Sequence, residues 1–263
     1  MNHRLYIVSG KGGTGKTSFS LALSRLLHKN GKKVQYTAFD HEADKELLNN
    51  LEVPFFDTTI EKSCEKYIGL KLKSLTIAKW IMRTPFFSAL FSILPSLGSM
   101  ILLGHFIKEL EDDPDLVLVL DSPSTGHAKA MIEATNIFKE IFRAGVLVED
   151  IHRMHSFLHN PTNVKSYICS LPTEMSIQEA GELKSFMLKK ELKNTSLVLN
   201  NFISENDAKE TSLSFLKQKI NSEKEILGYF HESHAFEILL KKHFKHDQID
   251  IIKKIETDLE SYA

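Results

Sequence analysis

The sequence is poor in cysteine, glycine and proline, and it has almost no net charge. Two cysteines, Cys64 and Cys169, stand far apart in 263 residues, which excludes a disulfide framework or a CxxC metal clip and indicates a reducing compartment. Twelve glycines and seven prolines are too few for a low-complexity or fibrous chain. A formal charge of −1 argues against nucleic-acid binding that depends mainly on positive charge, and no nucleic-acid partner is expected.

The first residues, MNHRLYIVSGKGG, also lack the long apolar run that a signal peptide needs. This absence predicts a cytoplasmic protein. The sequence does not exclude peripheral attachment of the protein to a membrane. A hydrophobic content of 42% supplies ample material for a core.

Short apolar runs alternate along the chain with amphipathic stretches of helical period. The predicted strands are residues 5–9, 33–39, 116–120, 166–171, 197–199 and 226–229. Runs such as LVLVL lack the polar alternation of a half-exposed strand, which is typical of strands buried on both faces of a parallel sheet. We therefore expect one α/β domain over residues 1–263, with a doubly wound, mostly parallel sheet.

Residues 54–110 interrupt this alternation and are predicted to form a helical insertion. Within them, residues 84–107 contain no Lys, Arg, Asp or Glu and are long enough for a bilayer span, which needs about 20 residues. Two prolines and two glycines interrupt the stretch, which favours two short helices hinged at Pro95. The pattern leaves open whether this pair is buried or offers a surface to a client or a membrane.

The strongest motif fits the phosphate-loop pattern G-x-x-x-x-G-K-[ST], directly after a predicted strand and before an amphipathic helix. Its residues are Gly10, Lys11, Gly12, Gly13, Thr14, Gly15, Lys16 and Thr17. Glycines let backbone N–H groups curve around a phosphate, and the helix N-terminus adds partial positive charge. We expect Lys16 to contact the β- and γ-phosphates and Thr17 to ligate Mg²⁺, with Ser18 completing the nucleotide-binding residues.

Lys11 is a second lysine, placed early in the loop. The sequence KGGTGKT resembles the deviant phosphate loop of the family that includes the ParA and MinD partitioning ATPases and the arsenite-pump and tail-anchored-protein-targeting ATPases. The resemblance implies ATP as the nucleotide and a homodimer in which Lys11 reaches the nucleotide of the facing subunit. A lysine there adds positive charge where negative charge builds up on the transferred phosphoryl group.

A second motif indicates which branch of this family the chain resembles. The run LVLVL ends in Asp121, which places a carboxylate at the carboxyl edge of the sheet, near the expected Mg²⁺. The continuation DSPSTGH, from Asp121 to His127, resembles the D-T-x-P-T-G-H switch segment of the arsenite-pump and tail-anchored-targeting ATPases, which ParA and MinD lack. Thr17 and Asp121 are the implied metal ligands, and His127 is either part of the switch or a structural histidine.

The same resemblance extends to three later or flanking positions. Asp40 closes the run KVQYTAF and matches the aspartate that orients the attacking water, although the usual D-P-A-H reads DHEA here, and the position also suits a helix N-cap. Asn200 or Asn201, after SLVL, matches the strand-end asparagine that reads adenine, and position favours Asn200. The segment SLPTEMSIQE, which ends at Glu179, resembles the strand and S-x-x-E helix start of the family.

These features predict a Mg²⁺-dependent ATPase with Lys11, Lys16, Asp40 and Asp121 in catalytic roles. A nucleotide-driven homodimer switch would act through residues 54–110 on a hydrophobic protein segment or a membrane protein. No CxxC pair is present for the zinc of the tail-anchored-targeting proteins, and two cysteines are too few for a thiolate site for arsenite. A ParA/MinD-like positioning switch without a client and a binding-only pseudo-ATPase are the alternatives.

Overall fold

The computed structural model describes residues 3–39, 42–93, 96–122, 124–141, 146–203, 214–230, 236–243 and 246–262. Its strands are β1 (Leu5–Gly10), β2 (Lys33–Ala38), β3 (Leu116–Asp121), β4 (Val164–Ser170), β5 (Thr195–Phe202) and β6 (Ile238–Lys241). Its helices are α1 (Lys16–Lys29), α2 (Lys45–Asn50), α3 (Ile60–Leu72), α4 (Leu75–Met82), α5 (Pro85–Ile93), α6 (Leu97–Asp112), α7 (Thr125–Ile141), α8 (Val146–His159), α9 (Glu174–Lys189), α10 (Ser214–Phe230) and α11 (Gln248–Glu260).

The six strands pair in parallel in the order β2-β3-β1-β4-β5-β6. Strand β1 lies inside the sheet, with β3 and β2 on one side of β1 and β4 to β6 on the other side. In such sheets, ligands bind outside the carboxyl ends of the strands where the order reverses. The predicted α/β fold with a parallel sheet is confirmed.

Apolar side chains fill both faces of the sheet. In β3, Leu118 packs into a core with the buried side chains of α6, α7 and α8, whereas the next residue, Val119, packs into a second core with α1 and α11. Successive side chains of a strand point to opposite faces. Both faces of β3 are therefore apolar, which explains why LVLVL shows no polar alternation.

The last of the predicted strands is wrong. Residues 226–229 lie within α10, and the sixth strand is Ile238–Lys241. A short apolar run fits a strand or a buried helix segment equally well. Here the run continues a helix whose Leu216 and Ile220, one turn apart, pack against Ile203. β6 lies at the sheet edge and alternates buried and exposed side chains.

Four helices, α3 to α6, occupy the predicted insertion between α2 and β3. Helices α5 and α6 are bent by 96° at a break that includes the predicted hinge Pro95, which itself lies outside the described residues. Most of α6 is buried, whereas α4 and α5 expose Trp80, Phe86 and Ile93. The uncharged stretch therefore contributes to the core through α6 and to the surface through α5.

Membrane-span criteria of length and hydropathy are met by no single helix of the described ranges. Only α5 and α6 taken together, across their bend, meet them.

Candidate functional site

The loop between β1 and α1 lies at the carboxyl edge of the sheet and depends on glycine for its shape. Gly10, Gly13 and Gly15 have φ of 143°, 82° and 85°, which glycine adopts without the penalty that a Cβ imposes. A Cβ on Gly10 would lie 2.3 Å from the carbonyl oxygen of Cys169, and one on Gly15 would lie 2.1 Å from Asn200 Nδ2. Conformation and space both require glycine at these two positions.

The other side of the loop is open. A Cβ on Gly12 or Gly13 would meet no atom within 4 Å. Helix α1 starts at Lys16, and Ser18 belongs to its first turn, where backbone N–H groups lack partners within the helix. Lys16 Nζ lies over the loop and donates to the carbonyl oxygen of Lys11 at 3.1 Å. These N–H groups and this ammonium group suit an anion such as a phosphate.

Thr17 and Asp121 meet where α1 begins and β3 ends. Thr17 Oγ1 donates to Asp121 Oδ2 at 2.7 Å, and the Tyr36 hydroxyl donates to the same oxygen at 3.0 Å. Burial and the neighbouring Asp121 carboxylate raise the pKa of Tyr36 well above its usual range, so this hydroxyl remains a donor. The sequence pattern did not indicate a role for Tyr36 in the site. The one indication in the sequence is that this tyrosine lies near the end of β2, the strand that pairs with β3.

The Thr17 hydroxyl and the Asp121 carboxylate are hard oxygen donors of the kind that Mg²⁺ prefers. Mg²⁺ usually keeps several waters and takes one or two protein carboxylates together with substrate phosphates. In the described part of the chain, no group of three or more His, Cys, Asp or Glu side chains could hold a metal ion. The Thr17–Asp121 pair fits a metal that is shared with the phosphates of a nucleotide.

Lys11 contacts helix α9 of its own chain. Its Nζ lies 2.7 Å from Glu179 Oε1 and 3.1 Å from Met175 Sδ. Both partners of the ion pair are partly exposed. Glu179, the acidic residue of the S-x-x-E segment, is thus a partner of Lys11, a contact that the sequence did not indicate.

Asn200 fastens the phosphate loop to β5. It is buried, its Nδ2 donates to the carbonyl oxygen of Thr14 at 2.8 Å, and its Oδ1 accepts the backbone N–H of Asn201 at 2.9 Å. Asn201 is exposed at the same edge, in the left-handed backbone region with φ of 60°. Of the two candidates for reading a base, Asn200 contacts the loop and Asn201 faces the surface.

Two predicted residues lie outside what the structure describes, namely Asp40 and the side chain of His127. Their neighbours show where the two segments start. The backbone N–H of Phe39 donates to the carbonyl oxygen of Asp121 at 3.1 Å. The backbone N–H of Ser122 donates to the carbonyl oxygen of Val8 at 3.0 Å. Both segments therefore leave the sheet beside the Thr17–Asp121 pair.

Residues 5–243 match the family described as the CobQ/CobB/MinD/ParA nucleotide binding domain. The chain belongs to this family. Its phosphate loop and the Thr17–Asp121 contact lie at the carboxyl edge of the parallel sheet, where open α/β sheets bind their ligands.

Two relatives of this nucleotide-binding domain are named as ATPases. The arsenical pump-driving ATPase of Escherichia coli is 24% identical over an alignment of 226 positions, which covers 82% of this chain and 38% of that protein. The putative arsenical pump-driving ATPase 1 of Aquifex aeolicus (strain VF5) is 24% identical over an alignment of 294 positions, gaps included, which covers 90% of this chain and 74% of that protein. The chain therefore spans less than half of the Escherichia coli relative. The predicted resemblance to the arsenite-pump ATPases is confirmed by these two relatives.

Proposed function

We propose that the chain is a Mg²⁺-dependent ATPase whose nucleotide-driven homodimer switch acts on a hydrophobic protein segment or a membrane partner. The observation that carries the proposal is the 2.7 Å contact between Thr17 and Asp121 beside the phosphate loop. The names of the two relatives support ATP as the nucleotide and hydrolysis as the reaction.

Each residue of the site has a distinct task in this proposal. The loop N–H groups and Lys16 hold the phosphates, and Tyr36 fixes the carboxylate of Asp121 through its hydrogen bond. Thr17 and Asp121 would hold Mg²⁺, which when bound neutralises charge on the phosphates. Lys11 adds a positive charge to the nucleotide of a facing subunit, and Asp40 orients the attacking water.

Chain connectivity supports a link between the site and the helical insertion. The chain enters the insertion after β2 and leaves it into β3, so the segments that carry Asp40 and Asp121 flank it. A cavity of about 620 Å³ separates the end of β2 from the start of α3 and is lined by Phe39, Lys45 and Asp57 among others. The exposed apolar side chains of α4 and α5 would be the output surface.

A positioning switch without a client is the second candidate. The family description, which names MinD and ParA, favours it. In that function, ATP would control assembly of the protein on a surface. Binding of an apolar protein segment in the ATP state, against an ADP control, distinguishes the first candidate from the second.

The test of the ATPase is the Thr17→Ala variant. Turnover should fall by about 100-fold or more, because a correctly placed metal supplies several kcal/mol and each 1.4 kcal/mol is about tenfold in rate. Thr17→Ser should restore most of the activity. Thr257→Ala is the matched control, because that exposed hydroxyl bonds only to a backbone carbonyl in α11. Full turnover of Thr17→Ala, or turnover that survives removal of Mg²⁺ by a chelator, would contradict the proposal.

The homodimer is tested by light scattering on the Asp40→Asn variant, which should retain ATP. A doubling of the mass with ATP and Mg²⁺, but not with ADP, is the expected result. An unchanged mass in ATP would exclude the dimer switch while leaving the ATPase assignment intact.

A further inference from the structure

The middle of the helical insertion, from residue 66 to residue 107, carries basic but no acidic side chains. From residue 66 to residue 107 the sequence contains five basic residues and no Asp or Glu: Lys66, Lys71, Lys73, Lys79 and Arg83. Three of these form ion pairs with acidic side chains of α3, α6 and α8. Lys73 and Arg83, which follow α3 and α4 directly, are exposed, and no ion pair to either is found within the described residues.

The same helices hold most of the exposed apolar surface. Of the eleven large apolar side chains exposed in the described residues, seven lie between residues 70 and 93. These are Leu70, Leu72, Leu75, Ile77, Trp80, Phe86 and Ile93. Trp80 is 69% exposed and Phe86 is 74% exposed. We call these seven side chains, with Lys73 and Arg83, the α3–α5 surface.

In α4 and in α5, one side of the helix packs against the insertion and the other side faces outward. In α4, Ala78 is completely buried, and Lys79 forms an ion pair with Glu65 of α3 at 3.0 Å. In α5, Phe91 packs against Gly98 of α6, since a Cβ on that glycine would lie 3.2 Å from the ring. Trp80 and Phe86 are therefore exposed on helices that pack against the rest of the insertion through other side chains.

We propose that the α3–α5 surface docks on a lipid bilayer with anionic headgroups. The inference deepens the proposed function by naming the partner, and it rests on that function only for control by the nucleotide. Short helices with exposed Trp, Phe and Leu beside Lys and Arg lie in the plane of the interface, where the apolar side chains enter the acyl boundary. The basic side chains contact the anionic headgroups.

Charge complementarity favours a lipid surface over a transmembrane segment carried as a client. An apolar protein segment would cover Trp80 and Phe86 but would offer no counter-charge to Lys73 and Arg83. Anionic headgroups satisfy both kinds of side chain. Each basic residue near such a surface strengthens binding by about fivefold, an effect that salt screens.

Trp80 reports directly on this surface, because it is the single tryptophan of the sequence. The protein is titrated with vesicles of phosphatidylcholine alone and with vesicles that also contain phosphatidylglycerol. We expect the Trp80 emission to shift to shorter wavelength, and the protein to sediment with the vesicles, only when phosphatidylglycerol is present. Lys73→Gln with Arg83→Gln should weaken binding by about 25-fold, and added salt should weaken wild-type binding.

A second variant, Phe86→Ser, should weaken binding while leaving Trp80 as the probe. Leu188→Ser with Lys189→Gln is the matched control, because it removes an exposed apolar and basic pair from α9 and should bind vesicles as wild type does. Thermal unfolding checks that each variant is folded.

Equal binding to both vesicle compositions would overturn the proposal. A Trp80 shift caused by an apolar transmembrane peptide, but not by anionic vesicles, would also overturn it and favour a client. ATP turnover is measured in parallel. If wild-type protein binds anionic vesicles but does not hydrolyse ATP, the proposed ATPase is contradicted and the docking surface is supported. If wild-type protein hydrolyses ATP but does not bind anionic vesicles, the docking surface is contradicted and the ATPase is supported.

Discussion

Lys11 of the phosphate loop and Glu179 of α9 form an ion pair, with 2.7 Å between Nζ and Oε1. The resemblance to deviant phosphate-loop ATPases assigns this lysine to the nucleotide of a facing subunit, yet here a helix of its own chain holds it. Contact across a dimer requires the pair with Glu179 to break. We infer that the pair opposes dimer closure until a nucleotide in the facing subunit offers a stronger counter-charge.

Glu179→Gln should therefore strengthen ATP-dependent dimerisation. Partly exposed pairs of this kind are worth about 0.2–1 kcal/mol each, and closure of a homodimer breaks two of them, so the dimer affinity should rise by up to about 30-fold. Sedimentation equilibrium with ATP and with ADP measures it. Glu182→Gln, on the same helix and exposed, is the control and should leave the affinity unchanged. A weaker dimer in Glu179→Gln would show that the pair supports closure instead.

Lys11→Ala separates binding from turnover. ATP affinity should stay nearly intact, because Lys16 and the loop N–H groups hold the phosphates, while turnover falls because the facing subunit loses its positive charge. Calorimetry gives the affinity and phosphate release gives the turnover. Equal loss of both would refute the role of Lys11 across the dimer.

The strands that carry the site were predictable because each leaves a local signal. A buried parallel strand is an apolar run, and β1 and β3 end in the glycine loop and in Asp121, where polar chemistry begins. The contacts that complete the site leave no such signal. Tyr36 and Asp121 are 85 positions apart, Lys11 and Glu179 are 168 apart, and their meeting depends on strand order and helix placement.

Asn200 illustrates the same limit, because its strand-end position could be read from the sequence but its contact with Thr14 could not. Asn200→Ala would leave that buried carbonyl without its partner, at a cost of about 1–3 kcal/mol, and would loosen the loop. We expect it to weaken the binding of ATP and of inorganic tripolyphosphate by similar factors. Substitution of a side chain that contacts the base should instead weaken the binding of ATP and leave the binding of tripolyphosphate unchanged.

Asn201→Gly is the matched variant, since glycine keeps the left-handed backbone at that position. If Asn201 reads the base, ATP binding weakens and tripolyphosphate binding does not. Calorimetry with both ligands decides between the two asparagines. A loss confined to ATP in Asn200→Ala would return the base-reading role to Asn200.

The burial of His105 is expected to make the free energy of unfolding depend on pH. It lies in α6 and is buried against α3, with Nδ1 2.9 Å from Ser63 Oγ and Nε2 3.3 Å from Glu109 Oε1. Burial and then Lys66 lower the pKa of His105, while Glu109 opposes them in part. An unfolded histidine titrates at about pH 6.5, so below that pH the unfolded chain binds more protons than the folded chain. The free energy of unfolding should therefore fall as the pH drops below about 6.5.

His105→Gln should remove this contribution and flatten the dependence between about pH 7 and pH 5. Urea unfolding at a series of pH values measures the slope. His152→Gln, an exposed histidine on α8, is the control and should keep the wild-type slope. An unchanged slope in His105→Gln would contradict the lowered pKa of this histidine.

Phe86 and Phe91 lie on the same short helix in opposite environments. Phe86 is exposed, whereas Phe91 is partly buried in the core that contains α6, and its ring centre lies 4.8 Å from that of Phe87. The sequence does not separate them, because residues 84–107 are apolar nearly throughout and α5 is too short for a clear helical period.

Phe86→Asp should change the free energy of unfolding by no more than about 0.5 kcal/mol, as substitutions of exposed side chains usually do. Phe91→Asp should lower it by about 2–4 kcal/mol, because the change removes packed aromatic area and places a carboxylate against the core. Urea unfolding gives both values, and vesicle binding and ATP turnover are measured on the folded variant. We expect Phe86→Asp to retain turnover and to lose affinity for anionic vesicles. Equally severe unfolding by the two variants would place Phe86 in the core and remove it from the α3–α5 surface.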